Sequence, residues 1–201
     1  MSAMKDRLNL RKAKEMKTDF DEVIKKEEIE YGIVRGNENI VFLKAGAGGS
    51  FRGYGDKYLK MAIALHKKDG STVVCASNPS DELSIKYDEA TLRELINEET
   101  KAPVLKFIGV SRGAYLGIVH LSECFRFEKL LLINMPLMLN FHKTMQHMKD
   151  KNVTFIFGSK DPSAPYIPFL KGYCDDVVMI EGADHKFTDM IGEFIELVKL
   201  I

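Results

Sequence analysis

A chain of 201 residues, 45% hydrophobic and 29% charged, has the composition of one ordinary globular domain with a substantial core. Lys plus Arg and Asp plus Glu both count 29, which leaves no net field for nucleic acid or anionic lipid. Cys75, Cys124 and Cys174 form no C-x-x-C pair, no Cys/His cluster has metal-ligand spacing, and no apolar run approaches the ~18 residues of a membrane span. With no apolar signal core at the start, reduced thiols in a cytoplasmic protein are expected, without metal or membrane.

Residues 1–19 are charge-rich without an apolar stripe and read as a short helical arm; residues 20–201 read as a single domain. A short strand is expected over 20–24. Residues 28–34 alternate as an edge strand does, and a turn over 35–39 leads to a compact apolar strand over 40–43. The short turn near Gly36 suggests that these two strands pair antiparallel. A helix over 58–66 stops near Gly70, and a strand over 72–76 follows. The pattern then gives a helix over 89–97, a strand over 104–108, a helix over 112–121, a strand over 130–133 and a helix over 138–150. A strand over 153–157, a short helix over 167–173, a strand over 177–180 and a helix over 187–200 close the chain. Such alternation predicts an α/β fold, a mostly parallel sheet covered by helices on both faces.

In open α/β sheets ligands meet the carboxyl ends of the strands, so the residues after each strand carry the chemistry. The strand over 104–108 breaks into a helix across Gly109-Val-Ser-Arg-Gly113, which places the Ser111 hydroxyl at a tight corner beside a helix N-terminus. The strand over 40–43 empties into Ala45-Gly-Ala-Gly-Gly-Ser50, whose exposed backbone N–H groups suit a negative oxygen. Neither the P-loop spacing nor G-x-G-x-x-G is present there. Asp161 follows the strand over 153–157 and His185 the strand over 177–180. Taken alone, each is an ordinary loop residue. Together they give the order Ser…Asp…His, each at the end of a different strand.

On these motifs the chain, over roughly residues 20–201, resembles a compact serine hydrolase of the α/β-hydrolase fold. The resemblance implies Ser111 as nucleophile, His185 as general base and Asp161 as the acid that orients it. It also implies oxyanion donors at the backbone N–H groups of Ala47 and Arg112, a small acyl ester or thioester as substrate, and no cofactor. Ala45 stands where such loops commonly carry a supporting histidine. A non-catalytic binding protein on the same fold, an acyltransferase and a C–C hydrolase remain open alternatives, and a homo-oligomer is compatible with the sequence. By the same resemblance a lid would follow the strand over 130–133. Only 134–141 intervene before the helical pattern resumes, so no cap domain is expected. Phe51, Met135, Leu137, Met138 and Tyr166 are the candidate pocket walls, and Arg52 reads as a solvated arginine.

Overall fold

The computed structural model describes residues 17–99 and 101–201; residues 1–16, most of the expected N-terminal arm, lie outside the described residues. Eight strands form one sheet in the order β1-β2-β4-β3-β5-β6-β7-β8. They are β1 (Glu22–Lys26), β2 (Ile29–Val34), β3 (Asn37–Lys44), β4 (Ser71–Ala76), β5 (Leu105–Val110), β6 (Lys129–Ile133), β7 (Val153–Gly158) and β8 (Val177–Ile180). From β4 through β8 every neighbouring pair is parallel, while β2 runs antiparallel to both β1 and β4.

The antiparallel pairing expected across Gly36 does not form, because β4 lies between β2 and β3. The backbone at Gly36 passes directly over the start of β4: its N–H donates to Thr72 Oγ1 at 2.9 Å. A Cβ there would sit 2.1 Å from the Gly70 carbonyl oxygen. What looked like a hairpin turn is a crossing, and only glycine fits it.

Successive strand residues face opposite sides, and each side has its own core. On one face Phe42, Phe107, Leu130, Leu132, Phe155 and Phe157 pack against α2 (Asp81–Glu98), α3 (Arg112–Leu116) and α5 (Ile167–Leu170). Met145 and Met148 of α4 (Phe141–Met148) join the same core. On the other face Val41, Leu43, Val73, Ile108, Leu131 and Ile156 meet α1 (Lys57–Asp69) and α6 (Ile191–Glu196). At about 25 cal/mol per Å2 of apolar surface removed from water, these two layers are the main stabilising contribution.

Helix boundaries differ from expectation where polar residues point inward. α2 begins at Asp81 rather than residue 89, since Ser84 and Asp88 are buried and interrupt the apolar stripe. α3 passes into a π turn over Gly117–Leu121 before a last turn at Ser122–Cys124. The final helix starts at Ile191, because Phe187 has φ 53° and cannot be helical. Between β6 and α4 there are only residues 134–140, and among the described residues no cap lies over the sheet. Among the described residues no helix is long and apolar enough to cross a membrane.

Candidate active site

Ser111 joins β5 to α3 with φ 52° and ψ −122°, a strained backbone for a residue with a side chain. Its N–H donates to the Ile133 carbonyl at 2.7 Å, which ties the corner to β6. Two glycines make the corner feasible. A Cβ on Gly109 would lie 2.4 Å from Ala114 Cα, and one on Gly113 would lie 2.4 Å from the Ala45 carbonyl oxygen. Strand, helix and the loop after β3 can converge only because both positions lack side chains.

Asp161 sits in a turn after β7, with its own N–H on the Gly158 carbonyl at 3.0 Å. Its side chain is fully buried, and Oδ1 accepts the Ser163 N–H at 2.7 Å. The other oxygen, Oδ2, is 2.5 Å from His185 Nδ1. His185 Nε2 in turn is 2.9 Å from Ser111 Oγ. An ionised carboxylate only accepts, so the proton of a neutral imidazole belongs on Nδ1. That leaves Nε2 as acceptor for the Ser111 hydroxyl. The structure thus brings Ser111, His185 and Asp161 into one hydrogen-bonded line from three strand ends. Asp184, the neighbouring acid, is occupied elsewhere: it accepts from Thr188 N–H at 2.8 Å and Thr188 Oγ1 at 2.7 Å, which hold its carboxyl below the usual range.

The loop bearing His185 is held by side chains the sequence did not mark. Asn134, fully buried just after β6 with φ 49°, donates from Nδ2 to the carbonyls of Asp184 (3.2 Å) and His185 (3.0 Å). Its Oδ1 accepts the Gly158 N–H at 2.8 Å, so one amide ties the acid-bearing turn to the base-bearing loop. From the start of α1, Lys57 Nζ donates to the Lys186 carbonyl at 2.5 Å and lies 4.7 Å from the Phe194 ring centre.

The glycine loop after β3 packs against the same serine: a Cβ on Gly46 would lie 3.1 Å from Ser111 Cβ. Asn78 braces this loop. It accepts the Gly48 N–H at 2.8 Å, donates its own N–H to Gly49 at 2.9 Å, and its Nδ2 reaches the Ala45 carbonyl at 3.3 Å. Support expected of a histidine at position 45 therefore comes from the end of β4. Beneath it, Lys44 and Asp88 form a buried ion pair at 2.8 Å, with Lys44 Nζ also on the Ser77 carbonyl at 2.6 Å. Burial pushes the Asp88 carboxyl up to about 6 and the Lys44 ammonium down, against the pull each exerts on the other. Neither the Ala47 nor the Arg112 N–H has a hydrogen-bond acceptor among the described residues. The Arg112 side chain is turned to an ion pair with Asp81 and lies 4.6 Å from the Tyr115 ring centre.

Ser111 and His185 open on a cavity of about 490 Å3 lined by residues 46–50, Gly53, Tyr54, Lys57, Tyr58, Val110 and Lys186. None of the five residues expected to wall the pocket lines it. Phe51 packs on Phe20 at 5.5 Å between ring centres, and Met135 and Leu137 are buried in the core. Met138 and Tyr166 are exposed at 48% and 42%. The chain after β6 turns into the α4 side of the sheet, where Leu137 N–H meets Ser163 Oγ at 3.3 Å in the turn that carries Asp161. The walls come from the loop after β3 and the start of α1. Arg52 is engaged with Asp19 and Asp56, not with the site. A larger hollow of about 680 Å3 lies at the other end of the sheet, around Pro103, Glu128 and Asn152, so size does not locate the chemistry. Among the described residues no group of His, Cys, Asp or Glu is placed to hold a metal ion.

Sheet order, a serine at a strained strand–helix corner and the absence of a cap define the compact α/β-hydrolase fold. Solved structures agree. An α/β serine hydrolase homologue from Coxiella burnetii superposes with TM-score 0.72 at 17% identity, covering 90% of this chain and 97% of that one. A serine hydrolase without lid from Xanthomonas campestris gives 0.64 at 16%, covering 92% and 94%. A dienelactone hydrolase from Anabaena variabilis gives 0.66 at 17%, covering 92% and 95%. At such identities the likeness is one of fold. No family model and no curated protein matches the chain.

Proposed function

We propose that the protein is a serine hydrolase that cleaves a small carboxylic ester or thioester through an acyl-enzyme on Ser111. The observation that carries this reading is the line of contacts Asp161–His185–Ser111, at 2.5 and 2.9 Å. His185 Nε2 takes the Ser111 proton as Oγ attacks the acyl carbon, and Asp161 stabilises the imidazolium. The N–H groups of Ala47 and Arg112, without other acceptors among the described residues, serve the oxyanion. The imidazolium gives its proton to the departing alcohol or thiol. Water then attacks the acyl-enzyme with His185 as base, releasing the acid and restoring Ser111.

The His185 side chain is 39% exposed, so water reaches the acyl-enzyme; this favours hydrolysis over acyl transfer. A retained but idle triad would not need the bracing of its loops by Asn134 and Asn78. Three unpaired thiols fit a reducing compartment, and we place the protein in the cytoplasm. The test is Ser111→Ala assayed on a panel of acyl esters and thioesters, with fluorophosphonate labelling alongside. Hydrolysis should fall by roughly several thousandfold or more with the fold intact. A variant that keeps most of the wild-type activity overturns the assignment.

A further inference from the structure

The cavity over Ser111 has a charge character that ester hydrolysis does not require. Its lining carries two lysines, Lys57 and Lys186, and no aspartate or glutamate. They come from different elements: Lys57 opens α1, and Lys186 follows His185. Lys57 is only 3% exposed, yet neither lysine has a carboxylate within ion-pair distance among the described residues. One N–H of the Lys57 ammonium is satisfied by the Lys186 carbonyl at 2.5 Å. An ammonium has three donors, and a buried cation without a counter-ion is costly unless a ligand supplies one. Lys44, the other deeply buried lysine, shows the usual solution, with Asp88 at 2.8 Å. Lys57 has no carboxylate partner, only the rings of Phe194 and Tyr58 at 4.7 and 5.4 Å, and the nearby Asp184 carboxylate is turned to Thr188. Burial pushes Lys57 down to about 8, with Lys186 adding to the fall and Asp184 opposing it. Ala47, whose backbone N–H has no acceptor among the described residues, belongs to the same lining, and that N–H too attracts negative charge.

We infer that the substrate is an ester or thioester bearing an anionic group, a carboxylate or phosphate, that binds between Lys57 and Lys186 in the cavity over Ser111. This rests on the hydrolase reading above and adds the substrate class to it. The anion supplies the counter-charge missing from a buried site.

The experiment compares matched substrates that differ only in charge. Monoethyl glutarate against ethyl glutaramate puts the anion on the acyl side. O-Butanoylglycolate against O-butanoylglycolamide puts it on the leaving group. In one pair the wild type should favour the anion by about tenfold in kcat/KM, mostly through KM, and the preference should shrink with added salt. Lys57→Met and Lys186→Gln should each lower the anion-to-amide ratio severalfold. The ratio within each variant is the readout, so any general loss of activity cancels. Lys186 is exposed, and its variant keeps the test valid should the buried Lys57→Met fail to fold. Hydrolysis of both pairs with a ratio of one or below, or ratios untouched in Lys186→Gln and in folded Lys57→Met, overturns the inference while leaving the hydrolase standing. Loss of all hydrolysis, neutral esters included, overturns both.

Discussion

The two ends of the Asp161–His185–Ser111 line are held in different ways. Ser111 is positioned by backbone: a strained φ of 52°, an N–H on Ile133, and glycines at 109 and 113 where a Cβ would strike neighbouring main chain. His185 is positioned by side chains from distant elements, Asn134 after β6 and Lys57 at the start of α1. Backbone positioning is rigid but intolerant of any added atom. Side-chain positioning can be loosened one hydrogen bond at a time. The glycine loop lies between these cases, with main-chain donors resting on Asn78 and the Lys44–Asp88 pair.

The largest break should come from the orienting acid. Asp161→Asn keeps the shape but offers an N–H to Nδ1, favours the wrong tautomer, and should lower kcat by roughly a thousandfold to ten-thousandfold. Asp184→Asn, which only loosens a local turn, should cost severalfold at most; equal losses in steady-state assays would mean the acid is misassigned. On the backbone-held side, Gly113→Ala should lower stability by about 1–3 kcal/mol, measured by urea denaturation, and reduce activity with it, since its methyl would strike the Ala45 and Lys44 carbonyl oxygens and Lys44 Cγ. Asn134→Ala should act on the other half alone. A kcat lowered about tenfold to a hundredfold, with KM nearly unchanged, would mark a positioning residue, and an unaltered kcat would deny Asn134 that role.

The smallest effect concerns Lys57. Its folded pKa of about 8 lies below the ordinary 10.5, so between these values the unfolded chain binds more protons. Stability from this group therefore rises with pH across that window, on the order of 1 kcal/mol. Buried Cys75 and Tyr58, both pushed up by burial, pull the opposite way at the alkaline end. The measurement is accordingly the difference between wild type and Lys57→Met by denaturation from pH 7.5 to about 10. A flat difference would mean that Lys57 is not desolvated.

The same contrast explains what could be read from the sequence. The Ser111 corner was legible because backbone geometry demands glycines at fixed offsets, and the strand ends locate Asp161 and His185 through chain order. The sheet was legible wherever apolar runs alternate with helical spacing. Asn134 was not, since a polar residue after a strand reads as loop and its three partners lie on β7 and the His185 loop. Lys57 was hidden for the converse reason: a lysine at a helix start signals solvent, yet here it is buried against Phe194. The burial of Met135 and Leu137 in the core was equally hidden, because the turn of the chain after β6 is a tertiary choice in which Leu137 docks on Ser163. The crossing at Gly36 likewise depends on β4, which follows only after α1.

The tether from Lys57 to the carbonyl of Lys186 joins positions 129 residues apart, and Ser111 meets His185 across 74. Contacts of such span are closed late, since loop entropy opposes them until the intervening elements are in place. A chain emerging from the ribosome can therefore form the glycine loop, the serine corner and most of the sheet while remaining inert. On the proposed function, reactivity toward acyl compounds would arrive only when the last strand and its loop dock. In a refolding experiment, recovery of fluorophosphonate labelling should trail the return of far-UV ellipticity, making the nucleophile its own reporter of completed assembly.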